Sequence, residues 1–217
     1  MHNKLTLFQN TNSIINHYIA ELRDVNIQQD RSRFRRNLER IGEAIAYEIS
    51  KTLTYEKAEV TTPLGISETS LISSQPVVAT ILRAGLPLHL GILNVFDKAD
   101  SAFIAAYRKE SNKSELSIQM DYVAAPAADN RVLILADPML ATGMSMVMAV
   151  KQLMDRSNYS EVHIVSVIAS SIGLNYVQRN LPKAHIWLAA LDDELTTKSY
   201  IVPGLGDAGD LCYGEKE

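Results

Sequence analysis

Five nearly uncharged, β-rich runs separated by turns and helical stretches constrain the fold of this chain more than any other feature. They are PVVATIL (76–82), SAFIAAY (101–107), RVLILA (131–136), EVHIVSVIA (161–169) and AHIWLAAL (184–191). A strand with one face in water alternates polar and apolar residues. These runs are apolar on both faces, as are the strands of a parallel sheet covered by helices. The segment RAGLPLHLGILNVF (83–96) reads as a turn and a helix, and helical stretches over 142–156 and 171–180 separate the last three strands. The expected fold is therefore α/β, with a mostly parallel central sheet flanked by helices.

Upstream, Ile14, Ile15, Tyr18, Ile19 and Leu22 recur at helical spacing over 13–23, with Asn12 or Ser13 placed to cap the start. Phe34, Leu38, Ile41, Ile45 and Ile49 form a stripe along a second helix over 31–53. One domain over 1–217 is expected, with a helical part at 1–75, a sheet core at 76–191 and a turn-rich tail at 192–217. A polar stretch between Tyr107 and Arg131 is long for a plain connection, and the arm at 108–125 reads as a mobile lid over a site.

Composition narrows the function. The 217 residues are 47% hydrophobic, enough for one domain with a full core. A net charge of −4 argues against a general nucleic-acid binder, which carries a basic face. No apolar run approaches the length that crosses a bilayer, and the first residues lack the basic-then-apolar layout of a signal peptide, so a cytoplasmic protein is expected. The single cysteine, Cys212, leaves no internal disulfide and no cysteine-based zinc cluster, and no histidine is arranged to activate it. His2, His17, His89, His163 and His185 lack metal-ligand spacing and read as structural. Methionines 139, 144, 146, 148 and 154 read as core filler. RFRR (33–36) reads as a solvated face, the other reading being an anion or subunit contact.

Chemistry is expected at the strand ends. In DPMLATGMS (137–145) a lone carboxylate, Asp137, follows an apolar strand and is placed to receive a sugar diol or a metal-bound water. Ala141, Thr142, Gly143, Met144 and Ser145 then form a turn into a helix. The first N–H groups of a helix lack intrahelical partners and its dipole favours anions, so a phosphate suits this turn. An ordinary strand–turn–helix with an N-cap accounts for the same residues. No Lys-Ser/Thr pair follows the glycine, which excludes a Walker loop. LRAGL (82–86) places Arg83 at another strand end, and YRKE (107–110) places Arg108 and Lys109 at a third. An arginine fork suits a diphosphate, although an arginine at a strand end is commonly a surface ion pair. GLGDAG (204–209) matches G-x-G-x-x-G but lacks the strand before and the acid after that a dinucleotide site needs. It reads instead as a turn whose main chain meets a flat ligand, with Asp207 at its centre.

Together, DPMLATG and YIVPGLGDAGD, with LRAGL and YR.E in order before them, resemble the uracil branch of the type I phosphoribosyltransferase family. The resemblance covers about 76–214. It implies transfer of the 5-phosphoribosyl group from 5-phospho-α-D-ribose 1-diphosphate (PRPP) to uracil, with Mg²⁺ held mainly through PRPP and water, giving UMP and pyrophosphate. It implies that Asp137 holds the ribose hydroxyls, within a PRPP site that also includes Pro138, Met139 and Leu140. Ala141, Thr142, Gly143, Met144 and Ser145 would take the 5′-phosphate, and Arg83 and Arg108 the diphosphate. Ile201, Gly206 and Ala208 would read uracil through their backbones beside Tyr200, with Asp207 facing the ribose or the metal's water shell. Asp207, Arg108 and Asp137 are the expected catalytic set. Met144 stands where glycine is usual, and Pro138 and Ala141 stand where many type I members carry acids. A homo-oligomer, dimer or tetramer, is expected, with no nucleic-acid or membrane partner. The alternative is a nucleotide-sensing regulator that keeps this fold.

Overall fold

The computed structural model describes residues 4–109 and 117–215, with the side chains of 106–109 and 117–121 outside the description. Its central sheet contains β1 (Leu5–Leu7), β4 (Val77–Leu82), β5 (Asp100–Lys109), β6 (Ser117–Ala124), β7 (Val132–Ala136), β9 (Glu161–Ser170) and β10 (His185–Asp192). The spatial order is β1-β10-β9-β7-β4-β5-β6, and a short β8 (Met139–Leu140) also pairs with β9. Every pairing in this sheet is parallel except β5 with β6. The mostly parallel, helix-flanked architecture expected from the buried runs is the one observed.

Alternate strand residues feed two cores. Val78, Ile134, Val165 and Trp187 face one side, with Leu22 of α1 (Ile15–Arg23), Phe34 and Leu38 of α2 (Arg31–Ser50) and Leu88 of α3 (Leu86–Val95). Val77, Leu133, Ile164 and Ile186 face the other, with Val147 and Val150 of α4 (Met144–Met154) and Leu174 and Val177 of α5 (Ser171–Asn180). Strands buried on both faces are why the sequence shows continuous apolar runs. The chain steps from β4 outward to β5, then returns to the other side of β4 for β7 and continues to β9 and β10. The order therefore reverses between β4 and β7, and the carboxyl ends at such a reversal form a ligand crevice.

Several expectations change. The part at 1–75 is not only helical: it contains β1 and a hairpin of β2 (Tyr55–Thr62) and β3 (Gly65–Ile72), whose residues are nearly all exposed. Neither Asn12 nor Ser13 caps α1; Ile14 holds that position and no side chain caps it. The tail is less irregular than expected, with β11 (Glu194–Leu195), β12 (Ile201–Val202) and α6 (Ala208–Tyr213). Part of the arm forms the ladder of β6 on β5, and its residues 110–116 lie outside the described residues. Of the five methionines, Met146 is buried as core, Met154 is half-exposed, and Met139 touches the tail. In RFRR, Arg33 pairs with Glu21 and Arg36 with Glu39, whereas Arg35 turns inward to donate to the Cys212 carbonyl at 2.6 Å.

Candidate active site

Two successive chain reversals build the site at the carboxyl ends of β4 and β7. Asp137 follows the last residue of β7 directly. Its N–H donates to the Val165 carbonyl at 3.1 Å and its carbonyl accepts from Ser166 Oγ at 2.7 Å, so neighbouring β9 fixes the backbone. The carboxylate itself receives only a long bond from the Met139 N–H, 3.3 Å to Oδ1, among the described residues. Crowding by protein atoms desolvates it and pushes its pKa up to about 7 from the ordinary 3.8, against the weaker lowering by Met139. A carboxylate held in place and under-bonded is poised to accept hydroxyl donors from a ligand.

The turn at 141–145 follows. Gly143 takes φ +77°, the left-handed region, and a Cβ there would lie 2.7 Å from the Gly173 carbonyl. Glycine at 143 thus serves both the turn and the close approach of α5. Thr142 Oγ1 accepts from the Met144 N–H at 3.4 Å, at the start of α4. Ser170 secures the turn from behind: its hydroxyl donates to the Ala141 carbonyl at 2.5 Å and accepts from the Gly173 N–H at 2.9 Å, capping α5. Ser170 and Gly173 escaped the sequence reading. A serine between a strand pattern and a helical pattern is an N-cap signal that could have found Ser170; no local signal marks Gly173.

Arg83 leaves the end of β4 and meets the tail. Its Nη2 donates to Asp210 Oδ1 at 3.1 Å and to the Gly214 carbonyl at 3.4 Å, while its Nε is buried without a hydrogen-bond partner. An orphaned guanidinium N–H beside the crevice fits an anionic ligand. Asp207 caps α6, accepting from the Asp210 N–H at 3.0 Å. Asp207 and Gly206 also line a cavity of about 300 Å³ with Gln28, Arg31 and Asp210. Ile201 is buried and Tyr200 is 43% exposed beside it. The Ala208 N–H donates to Met139 Sδ at 3.4 Å, so the tail lies against the segment between Asp137 and the 141–145 turn. Pro138 and Leu140 are buried beneath that segment. Arg108 stands at the C-terminal end of β5, and its side chain lies outside the described residues.

The structure thus brings Asp137, 138–145, Arg83 and the 200–210 tail to one edge of the sheet, from segments far apart in the chain. Among the described residues no cluster of three or more His, Cys, Asp or Glu could hold a metal ion, and no helix is long and apolar enough to cross a membrane. His163 and His185 lie at the opposite end of their strands. Trp187 Nε1 donates to His163 Nδ1 at 3.0 Å and the three rings stack.

A family model described as uracil phosphoribosyltransferase matches residues 9–215. A uracil phosphoribosyltransferase from Porphyromonas gingivalis is 52% identical over 205 residues, 94% of this chain and 95% of the relative. A solved structure of a protein from Aquifex aeolicus superposes with a TM-score of 0.87 at 29% identity, covering 97% of this chain and 98% of that one. A purine phosphoribosyltransferase from Pyrococcus horikoshii shares the fold alone, with a TM-score of 0.50 at 9% identity over 72% of this chain and 84% of that one.

Proposed function

The chain belongs to the uracil phosphoribosyltransferase family, and from that premise we propose how its residues divide the work. The reaction is transfer of the 5-phosphoribosyl group from PRPP to uracil, releasing pyrophosphate and giving UMP. No observation favours a nucleotide-sensing regulator. In our reading, Asp137 accepts the ribose hydroxyls and the turn 141–145 takes the 5′-phosphate on its N–H groups. Arg83 and Arg108 take the diphosphate. Ile201, Gly206 and Ala208 present main-chain groups to uracil beside Tyr200, and Asp207 faces the ribose. The contact of the Ala208 N–H with Met139 Sδ carries this reading, because it sets the base-reading tail against the PRPP-holding segment. Sulfur is a weak acceptor, and a base carbonyl is a stronger partner for the same N–H.

The bond from the ribose C1 to the diphosphate oxygen breaks, its electron pair leaving with pyrophosphate, while uracil N1 bonds to C1 and passes its proton to the departing pyrophosphate or to water. Positive charge grows on the ribose ring, as in glycosyl transfer generally. The chain contributes by fixing both partners in line, by cations at the leaving diphosphate and by excluding water that would hydrolyse PRPP. A divalent cation accompanies PRPP in the family, and we take it to be Mg²⁺. With no metal-binding cluster among the described residues, PRPP and water would supply most of its ligands, with Asp137 and Asp207 near. Bound there, it would neutralise charge on the leaving group. The exposed β2–β3 hairpin is the surface on which a second copy would pack.

Uracil, PRPP and Mg²⁺ incubated with the protein should give UMP and pyrophosphate, with adenine, guanine and hypoxanthine inert. Purine turnover, or no turnover by folded protein, would overturn the reading.

A further inference from the structure

The tail is held to the body by a tie that starts in the N-terminal helices. At the C-terminal end of β10, Asp192 is 7% exposed. It accepts both arms of the Arg23 guanidinium, Nη1 on Oδ2 and Nη2 on Oδ1, each at 2.8 Å. The same Oδ2 accepts the Gly204 N–H at 2.9 Å, and Arg23 Nη1 donates to the Gly204 carbonyl at 3.1 Å. One ion pair therefore holds Gly204 by both of its main-chain groups. Gly204 has φ +60°, and a Cβ there would stand 2.0 Å from the Ile201 carbonyl, so the loop folds tightly back on itself. Gln28 packs beside the tail from the same N-terminal region. Gln28, 8% exposed, donates from Nε2 to the Leu22 and Arg23 carbonyls at 3.3 and 3.1 Å. Its Oε1 lies 3.9 Å from the Cβ position of Gly206.

We propose that Arg23 and Asp192 are positioning residues that set where the tail presents its main chain to uracil, and so govern affinity for the base. The proposal rests on the reading that the tail binds uracil. Gly204 lies between Ile201 and Gly206, two of the groups assigned to the base, so its position fixes theirs. A carbonyl or N–H cannot rotate independently of its chain, and binding constellations need placement within about 0.5 Å. The tail's own sheet is too small to supply that precision: β11 and β12 pair over two residues each. A guanidinium fork on a carboxylate has fixed planar geometry and supplies it, whereas a lysine ammonium keeps the charge without the fork. In that reading, Asp137, the 141–145 turn and Arg83 hold PRPP from β4, β7 and α4, and the tail adds only Asp207, whose place is set by its cap on α6; the tie at Gly204 therefore acts chiefly on uracil.

The test uses Arg23→Lys, Arg23→Gln and Asp192→Asn in the full chain, with KM for each substrate, kcat and Tm. The expected result for Arg23→Lys is a rise in KM for uracil of about tenfold, as small misplacements in a site produce, with KM for PRPP within about twofold. The two neutralising variants should lose more uracil affinity in the same selective way. Should either fail to fold, the charge-preserving lysine variant still decides. Equal losses for both substrates, a fall confined to kcat, or an unchanged KM for uracil would overturn the proposal. Gly206→Val separates it from the reading beneath it. If that variant keeps normal uracil use, the tail does not bind the base; if it loses uracil use while Arg23→Lys does not, the tie alone is wrong.

Discussion

In the proposed role, Asp137 trades stability for function. Its desolvated carboxyl, with pKa raised to about 7, binds a proton more tightly folded than unfolded, where 3.8 is ordinary. The folded state therefore loses stability as pH rises from about 4 to about 7, and carries the full penalty above that range. Asp137→Asn removes a charge that the fold dislikes. Melting curves should show the variant equal to the parent near pH 4 and increasingly more stable through neutrality. A gain of about 3 °C or more by pH 8 is expected, at ~2–4 °C per kcal/mol for a chain of this size. The same substitution removes the charge and exchanges one of the two oxygens proposed to accept the ribose hydroxyls for an NH2 donor. The kcat/KM for PRPP should fall about 10- to 100-fold, the worth of a charged hydrogen bond of roughly 1.5–3 kcal/mol. In the parent, kcat/KM for PRPP should rise with pH through about 7 as the carboxylate forms. A variant less stable than the parent at pH 8, or one with unchanged kinetics, would mean that Asp137 is a turn residue.

At the scale of elements, the 141–145 turn, proposed to take the 5′-phosphate, depends on the helix that follows the next strand. Ser170 holds the Ala141 carbonyl and caps α5 with one hydroxyl. Ser170→Ala should cost about 1 kcal/mol, as a lost N-cap does, seen as a drop of ~2–4 °C in Tm. It should also raise KM for PRPP several-fold while leaving KM for uracil unchanged; a KM for PRPP equal to the parent's would show that the turn stands without it. This coupling also shows what the sequence made legible. The strands of the core and the turn after β7 were readable, because residues such as Val78 and Leu133 are buried on opposite faces of the same sheet. The hairpin was not, because its few apolar side chains fall on both of its faces: Ile66 pairs with Thr61, whereas Leu71 pairs with Glu56 one step out of phase. No period-2 signal survives such a mixture. Arg23 and Asp192 were invisible for another reason, since 169 positions separate them and nothing local marks either as a partner. The places of Asp137 and Gly143 were legible because they are local, at the end of one strand and the start of one helix.

At the scale of the whole molecule, the β2–β3 hairpin stands outside what the core explains. Leu64 at the hairpin's tip is 100% exposed, Ile66 71% and Leu71 53%. Two strands alone are marginal in water, and Glu59 stands directly opposite Glu68, a repulsive pairing. Exposed apolar side chains on a protruding ribbon mark a surface that another chain covers. We propose that a second copy, expected from the family resemblance, supplies that chain, since symmetric dimers are the commonest assembly. Sedimentation should therefore give a particle of at least two chains, with a Tm that rises with protein concentration. Leu64→Glu combined with Ile66→Lys should shift it toward single chains. These side chains face solvent within one chain, so the far-ultraviolet circular dichroism should be unchanged. A parent that sediments as one chain at working concentrations, or a double variant that stays fully associated, would show that the hairpin is not the contact.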